Sequence, residues 1–77
     1  MRSLSAIARD IRADWKPVNY AAKPYLDAMA TLESIDNNYM FDSGRSVVLY
    51  FLANASSWRG DKARAIKSEL KSMTKGI

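Results

Sequence analysis

The sequence of 77 residues contains no cysteine and no histidine. Without cysteine there is no disulfide to stabilise a small fold, no thiolate nucleophile and no thiolate metal ligand. Without histidine the chain lacks the usual general base near neutral pH and the usual nitrogen ligand of zinc. These two absences remove the usual parts of most hydrolytic and zinc sites.

Long apolar stretches are absent as well. The longest run extends from Val47 to Ala53, far short of the ~20 residues of a transmembrane helix. Near the N-terminus, Arg9 and Asp10 come before an apolar signal region could form. We therefore expect no contact with a membrane and predict a cytoplasmic protein, with which the lack of cysteine agrees.

Motifs for catalysis and cofactor binding are also missing. There is no glycine-rich phosphate loop, and no serine lies in a glycine-flanked nucleophile motif. Asp10 and Asp14 lie four residues apart, but this spacing is typical of ordinary surface charge, and two carboxylates fall short of a metal cage. We predict a non-enzymatic protein with no catalytic residues, no cofactor and no metal.

The first two helices are predicted from apolar spacing and from prolines. Steps of three and four over residues 4–15 give one apolar face, Ser3 can cap its start and Pro17 ends it. Pro24 suits the first position of a second helix, predicted over 24–35. Apolar residues then recur at a spacing of three: Leu26, Met29, Leu32 and Ile35.

The third segment is ambiguous, because a continuous apolar run with two valines is also typical of a buried strand. Asp42 or Ser43 can cap a helix here, and no other segment looks like a strand partner. We therefore predict a central helix over 44–56, apolar nearly all round. Its expected core residues are Val48, Phe51 and Leu52.

The last helix follows the tripeptide Arg59-Gly60-Asp61, which cell-adhesion ligands also contain. Here we interpret it as a helix start, with Trp58 as an apolar anchor, Gly60 as the turn and Asp61 near the N-cap. An apolar stripe then predicts a helix over 60–74. The whole chain, 1–77, is thus predicted to be one all-α domain, a compact bundle of about four short helices.

Charge is divided along the chain, whose formal net charge is +4. The two ends are basic, whereas residues 24–44 contain acidic residues and no basic one. The last helix carries a basic stripe: Arg64, Lys67, Lys71 and Lys75. The first helix carries a shorter, secondary basic face: Arg9, Arg12 and Lys16. Such stripes can follow a phosphate backbone, face an acidic protein or simply be solvated.

A row of large side chains, Tyr39, Met40 and Phe41, falls in the second predicted loop. They either fold back over a small core or form a patch that contacts a partner. Together with the basic stripe, these three residues are the predicted partner-binding residues.

The segment YFLANASSWRGDKARAIKSELKSM is similar to small uncharacterised helical proteins of bacterial phages and other mobile elements. The run from Phe51 to Ala55, the Trp58-Arg59-Gly60 turn and the basic helix carry the resemblance. It implies a bacterial or phage cytoplasm and a protein that works by binding. Some proteins of this origin, anti-CRISPR inhibitors among them, block host defence.

Three functions are therefore open. The first is an interaction protein that binds, and by resemblance inhibits, a host protein or complex. The second is a protein that binds nucleic acid without sequence preference through its last helix. The third is a subunit of a homo-oligomer, in which acidic middle helices face the basic end helices of a neighbour.

Overall fold

Four helices follow one another along the chain in the computed structural model, which describes residues 2–35, 37–39 and 42–75. Within these residues the predicted all-α bundle of four short helices is confirmed. The elements are α1 (Leu4–Asp14), α2 (Lys23–Met29), β1 (Asn38–Tyr39), β2 (Asp42–Ser43), α3 (Gly44–Ala53) and α4 (Asp61–Lys75). The two short strands, which were not predicted, pair antiparallel, with Asn38 opposite Ser43.

Helix α1 begins and ends close to the predicted bounds. The Ser3 hydroxyl accepts a hydrogen bond from the backbone N–H of Ala6 at 3.1 Å, as expected of an N-cap. Trp15 caps the other end, and the following Lys16–Pro17 peptide bond is cis. The predicted apolar face is buried: Leu4, Ile7, Ala8, Ile11 and Trp15.

Helix α2 is shorter than predicted, ending at Met29 rather than at 35. The backbone N–H groups of Glu33 and Ser34 donate to the side chain of Asn37 rather than to helix carbonyls. The carbonyl of Glu33 accepts from the N–H of Leu4 in α1. In addition, residues spaced strictly three apart do not stay on one face of a helix with 3.6 residues per turn. The spacing therefore identified buried positions, such as Leu32, but predicted a helix that is too long.

Helix α3 begins where predicted and ends at Ala53 rather than at 56. The Ser43 hydroxyl is the cap, accepting from the N–H of Ser46 at 3.1 Å. Of the expected core residues, Val48 and Phe51 are fully buried and Leu52 is partly buried. The helix is apolar nearly all round, but it is not buried on every side. Leu49 and Tyr50 are 49% and 51% exposed.

Helix α4 follows a turn at Gly60, whose φ of 114° favours glycine. The helix begins at Asp61, so the interpretation of the tripeptide as a helix start is confirmed. Trp58 before it is only 2% exposed. The predicted apolar stripe is buried: Ala63, Ile66, Leu70 and Met73.

The core joins side chains of all four helices, with three aromatic rings at one end. Phe51 of α3 meets Trp15 and Trp58 edge-on, at centroid distances of 6.2 and 6.4 Å. This cluster ties α3 to the end of α1 and to the start of α4. In the part of the chain described, no helix has the length and apolar character needed to cross a bilayer.

Candidate interaction surfaces

The predicted aromatic loop falls mostly outside the described residues. The backbone of Tyr39 belongs to β1, whereas Met40 and Phe41 lie outside the description. Binding through Tyr39, Met40 and Phe41 therefore stays a prediction.

A different group of apolar side chains, three of them exposed and one half-buried, lies on α2, on α3 and on the turn before α2. We call Tyr20, Tyr25, Leu49 and Tyr50 the tyrosine surface. Tyr20 is 90% exposed, and Leu49 and Tyr50 are about half exposed. The ring of Tyr25, half-buried on α2, lies 5.4 Å from the ring of Tyr50 on α3. The two helices thus present a shared aromatic face.

Hydrogen bonds of Asn19 join the turn that carries Tyr20 to the end of α3. The Asn19 side chain donates to the backbone carbonyl of Asn54 at 3.2 Å and accepts from the N–H of Ala21 at 3.1 Å. Asn54 in turn donates from its side chain to the carbonyl of Tyr50 at 2.9 Å. The turn that carries Tyr20 is therefore hydrogen-bonded to the end of α3, at a residue one helical turn beyond Tyr50.

A shallow groove of about 280 Å³ adjoins the exposed ring of Tyr20. It is lined by Tyr20, Ala21, Lys23, Pro24 and Asp27. The Asp27 carboxylate is paired with Arg12 of α1. Among the described residues that line the groove, Lys23 is therefore the one charged side chain without an ion pair. The groove thus combines an aromatic ring with one positive charge.

The length of the apolar run in α3 was a sequence signal for this surface, although the spacing of apolar residues did not reveal it. Within the apolar run of α3, the buried residues Val47, Val48 and Phe51 share one helical face. Leu49 and Tyr50 fall on the other side. A run of seven apolar residues must surround a helix, and a domain of this size has too few helices to cover every side.

The predicted basic stripe of α4 does not form one uniform surface. Arg64 and Lys71 are exposed, and the Lys75 side chain lies outside the description. Lys67 is half-buried, where its ammonium donates to the backbone carbonyl of Trp58 at 2.6 Å and lies 5.8 Å from the Trp58 ring centroid. Lys67 therefore also fastens the turn before α4.

A second open groove lies at this turn, with a volume of about 290 Å³. We call it the basic groove. It is lined by Trp58, Arg59, Gly60, Ala63, Arg64 and Lys67. It brings two residues of the predicted stripe together with Arg59, which the stripe did not include.

The secondary basic face of α1 is divided. Arg9 is exposed, and Arg12, also exposed, is paired with Asp27. Lys16 is exposed but lies beyond the end of α1, so the three residues do not share one helix as predicted. The two aspartates of α1 also have different partners, since Asp10 accepts from Arg2 and Asp14 accepts from the Trp58 indole N–H.

An ion-pair cluster links α1 to α4 through Arg2. Its guanidinium donates to both oxygens of Glu69, at 2.8 and 3.1 Å, and to Asp10. The hydrogen bonds from Arg2 hold the pKa of both carboxyls below their usual range and raise the pKa of Arg2. Among residues 2–35, 37–39 and 42–75, no three acidic side chains come close enough to hold a metal ion.

Comparison of the chain with protein-family models, curated proteins and solved structures found no match. A function must therefore be inferred from the chain's own surfaces, of which the tyrosine surface and the basic groove have the most distinctive chemistry.

Proposed function

We propose that this protein is a non-enzymatic interaction protein that binds a protein partner through the tyrosine surface. One observation carries the proposal. Among the residues that the structure describes, the large apolar side chains left exposed are Tyr20, Leu49 and Tyr50. Leu49 and Tyr50 are neighbours on α3, and the turn that carries Tyr20 is hydrogen-bonded to the end of that helix.

The chemistry of the surface suits contact with a protein. Tyrosine offers a large, stiff apolar ring with a hydroxyl that can donate and accept, so it is common at interface centres. Leu49 and Tyr50 are adjacent on a rigid helix, and Tyr50 is supported by the Tyr25 ring. A partner would bury these side chains at little cost in conformational entropy.

The surrounding charges indicate the character of the partner. The Asp27 carboxylate is paired with Arg12, so the exposed ammonium of Lys23 dominates the nearby groove. The complementary surface is an apolar patch with a carboxylate at its edge.

The resemblance of residues 50–73 to phage and mobile-element proteins supports a bacterial cytoplasm as the setting. It also supports a host protein or complex as the partner, with inhibition as the consequence of binding. Self-association through the same surface is the competing form of protein binding.

Affinity purification with mass spectrometry tests the proposal, using tagged wild type and a Tyr20→Ser, Leu49→Ser variant. Both substitutions replace exposed side chains, so folding should be retained. We expect the variant to lose a protein that the wild type captures. The control is Ala13→Ser with Ala65→Ser, at exposed positions on α1 and α4, which should capture that protein normally.

Equal capture by the variant and the wild type would overturn the proposal. Sedimentation of the purified proteins separates the competing form. A wild-type dimer that the Tyr20→Ser, Leu49→Ser variant cannot form would identify the partner as a second copy of this chain.

A further inference from the structure

The basic groove has a chemistry that the proposed protein contact does not use. Three of its six lining residues are cationic, Arg59, Arg64 and Lys67, and none is acidic. It is formed by the turn before α4 and the first two turns of that helix. The tyrosine surface is built from other elements, the turn before α2 and the faces of α2 and α3.

The positive charges in the groove are poorly neutralised. No described side chain pairs with Arg59. Arg64 has only a 3.4 Å contact with Asp61, and both side chains are at least 80% exposed, where such pairs are weak. Lys67 donates to a neutral carbonyl.

The cations also act on one another. Burial lowers the pKa of the Lys67 ammonium, and the positive charges of Lys71 and Arg59 lower it further. An anion placed between these groups would relieve that repulsion. A tetrahedral oxyanion could accept hydrogen bonds from guanidinium and ammonium together.

We propose that the basic groove binds backbone phosphates of nucleic acid, without preference for base sequence. The aromatic ring in the groove cannot stack on a base, because Trp58 is 2% exposed, with Trp15 stacked on it and Lys67 over it. The lining also lacks the asparagine and glutamine side chains that commonly read base edges. The groove therefore offers charge to the backbone and no contact for reading bases.

The proposal can also be tested by a substitution at Asp61 that should strengthen binding. Its fully exposed carboxylate lies next to Gly60 and 3.4 Å from Arg64, where it would repel a bound phosphate. Asp61→Asn removes that charge at nearly constant size. We expect it to strengthen binding, whereas Arg59→Gln should weaken it.

Fluorescence anisotropy with a labelled single strand of mixed sequence measures both effects over a series of salt concentrations. Removing one phosphate contact should lower affinity several-fold at low salt and reduce the slope of log affinity against log salt by about 0.7. The matched control is Lys23→Gln, which removes the same charge in the other groove and should change little. Thermal melting of each variant confirms that it is folded.

Three further ligands distinguish the source of the anion. An oligonucleotide of the same sequence with an uncharged methylphosphonate backbone should not bind. Inorganic phosphate alone should compete poorly, because it makes one contact where a strand makes several. A polyglutamate peptide should bind more weakly than the strand.

Several results would overturn the inference. One is an equal loss of affinity for the strand in Arg59→Gln and Lys23→Gln. Another is a lower affinity in Asp61→Asn, and a third is undiminished binding of the oligonucleotide with the uncharged backbone. Competition by inorganic phosphate as effective as that by the strand would assign the groove to free phosphate. Tighter binding of polyglutamate would assign it to acidic protein. The results for Arg59→Gln and Asp61→Asn do not bear on the tyrosine surface, which includes neither residue.

Discussion

The indole rings of Trp15 and Trp58 stack with their centroids 5.6 Å apart and their planes 10° from parallel. Trp15 caps the end of α1, and Trp58 precedes α4. The Trp58 indole N–H also donates to the Asp14 carboxylate at 2.8 Å. This junction fixes the turn from which the basic groove is built, so the groove depends on the core beneath it.

A double-mutant cycle measures how strongly the Trp58 indole N–H is coupled to Asp14. Trp58→Phe removes the donor, and Asp14→Ala removes the acceptor. We expect a coupling energy of about 1 kcal/mol from urea unfolding, since the acceptor is charged but the bond is only partly buried. Independent, additive effects would show that the bond contributes nothing to stability.

The two sides of α3 should respond differently to truncation. Phe51→Ala removes a fully buried ring and should cost about 3–5 kcal/mol, a large share of the stability of a small domain. Leu49→Ala removes a half-exposed side chain and should cost less than about 1 kcal/mol. Chemical denaturation of both variants checks this, and similar losses would contradict the assignment of buried and exposed sides.

Gly44 should be intolerant of alanine although it begins a helix. An added Cβ would lie 2.8 Å from the Ser34 carbonyl oxygen and 2.9 Å from the Ile35 Cα. Because these neighbours are backbone atoms, Gly44→Ala should destabilise the fold by about 1–3 kcal/mol despite the higher helix propensity of alanine. The control Ser68→Ala, at an exposed position of α4, should be neutral or slightly stabilising. A more stable Gly44→Ala variant would contradict the close contact.

The all-α class and four helices were predictable because apolar spacing, caps and prolines act locally. Ser3 and Gly60 serve as expected, and the buried face of α4 is the predicted one. The end of α2 was not predictable, because it depends on hydrogen bonds to Asn37 and to α1.

The candidate surfaces were harder to predict than the helices. The exposure of Leu49 and Tyr50 depends on how many helices cover α3, which local pattern does not determine. The basic stripe was identified by spacing, but the different role of Lys67 depends on its bond to Trp58. Arg59 joins the groove only through the turn at Gly60.

Stability should fall with acid partly through the cluster around Arg2. The pKa values of Asp10 and Glu69 are lowered in the folded protein, so the folded state binds fewer protons than the unfolded state as these carboxyls titrate. Their contribution is complete above the ordinary carboxyl pKa of about 4 and is lost as pH falls through the lower folded values.

Arg2→Gln should therefore lose less stability than the wild type between neutral pH and about pH 3, since its carboxyl pKa values return toward normal. Melting temperatures measured across this range check the prediction, with Arg9→Gln as the control. The effect should be small, because the Arg2 side chain is 40% exposed. Parallel pH profiles for the wild type and Arg2→Gln would contradict it.

Site-specific photocrosslinking in the native host tests binding through the tyrosine surface most directly. A benzoylphenylalanine residue would replace Leu49 in one variant, Tyr20 in a second and the exposed Ala65 of α4 in a third. We predict that the first two variants crosslink to the same protein and that the third does not. Crosslinks to that protein from the Ala65 position alone, or none from either tyrosine-surface position, would contradict the proposed function.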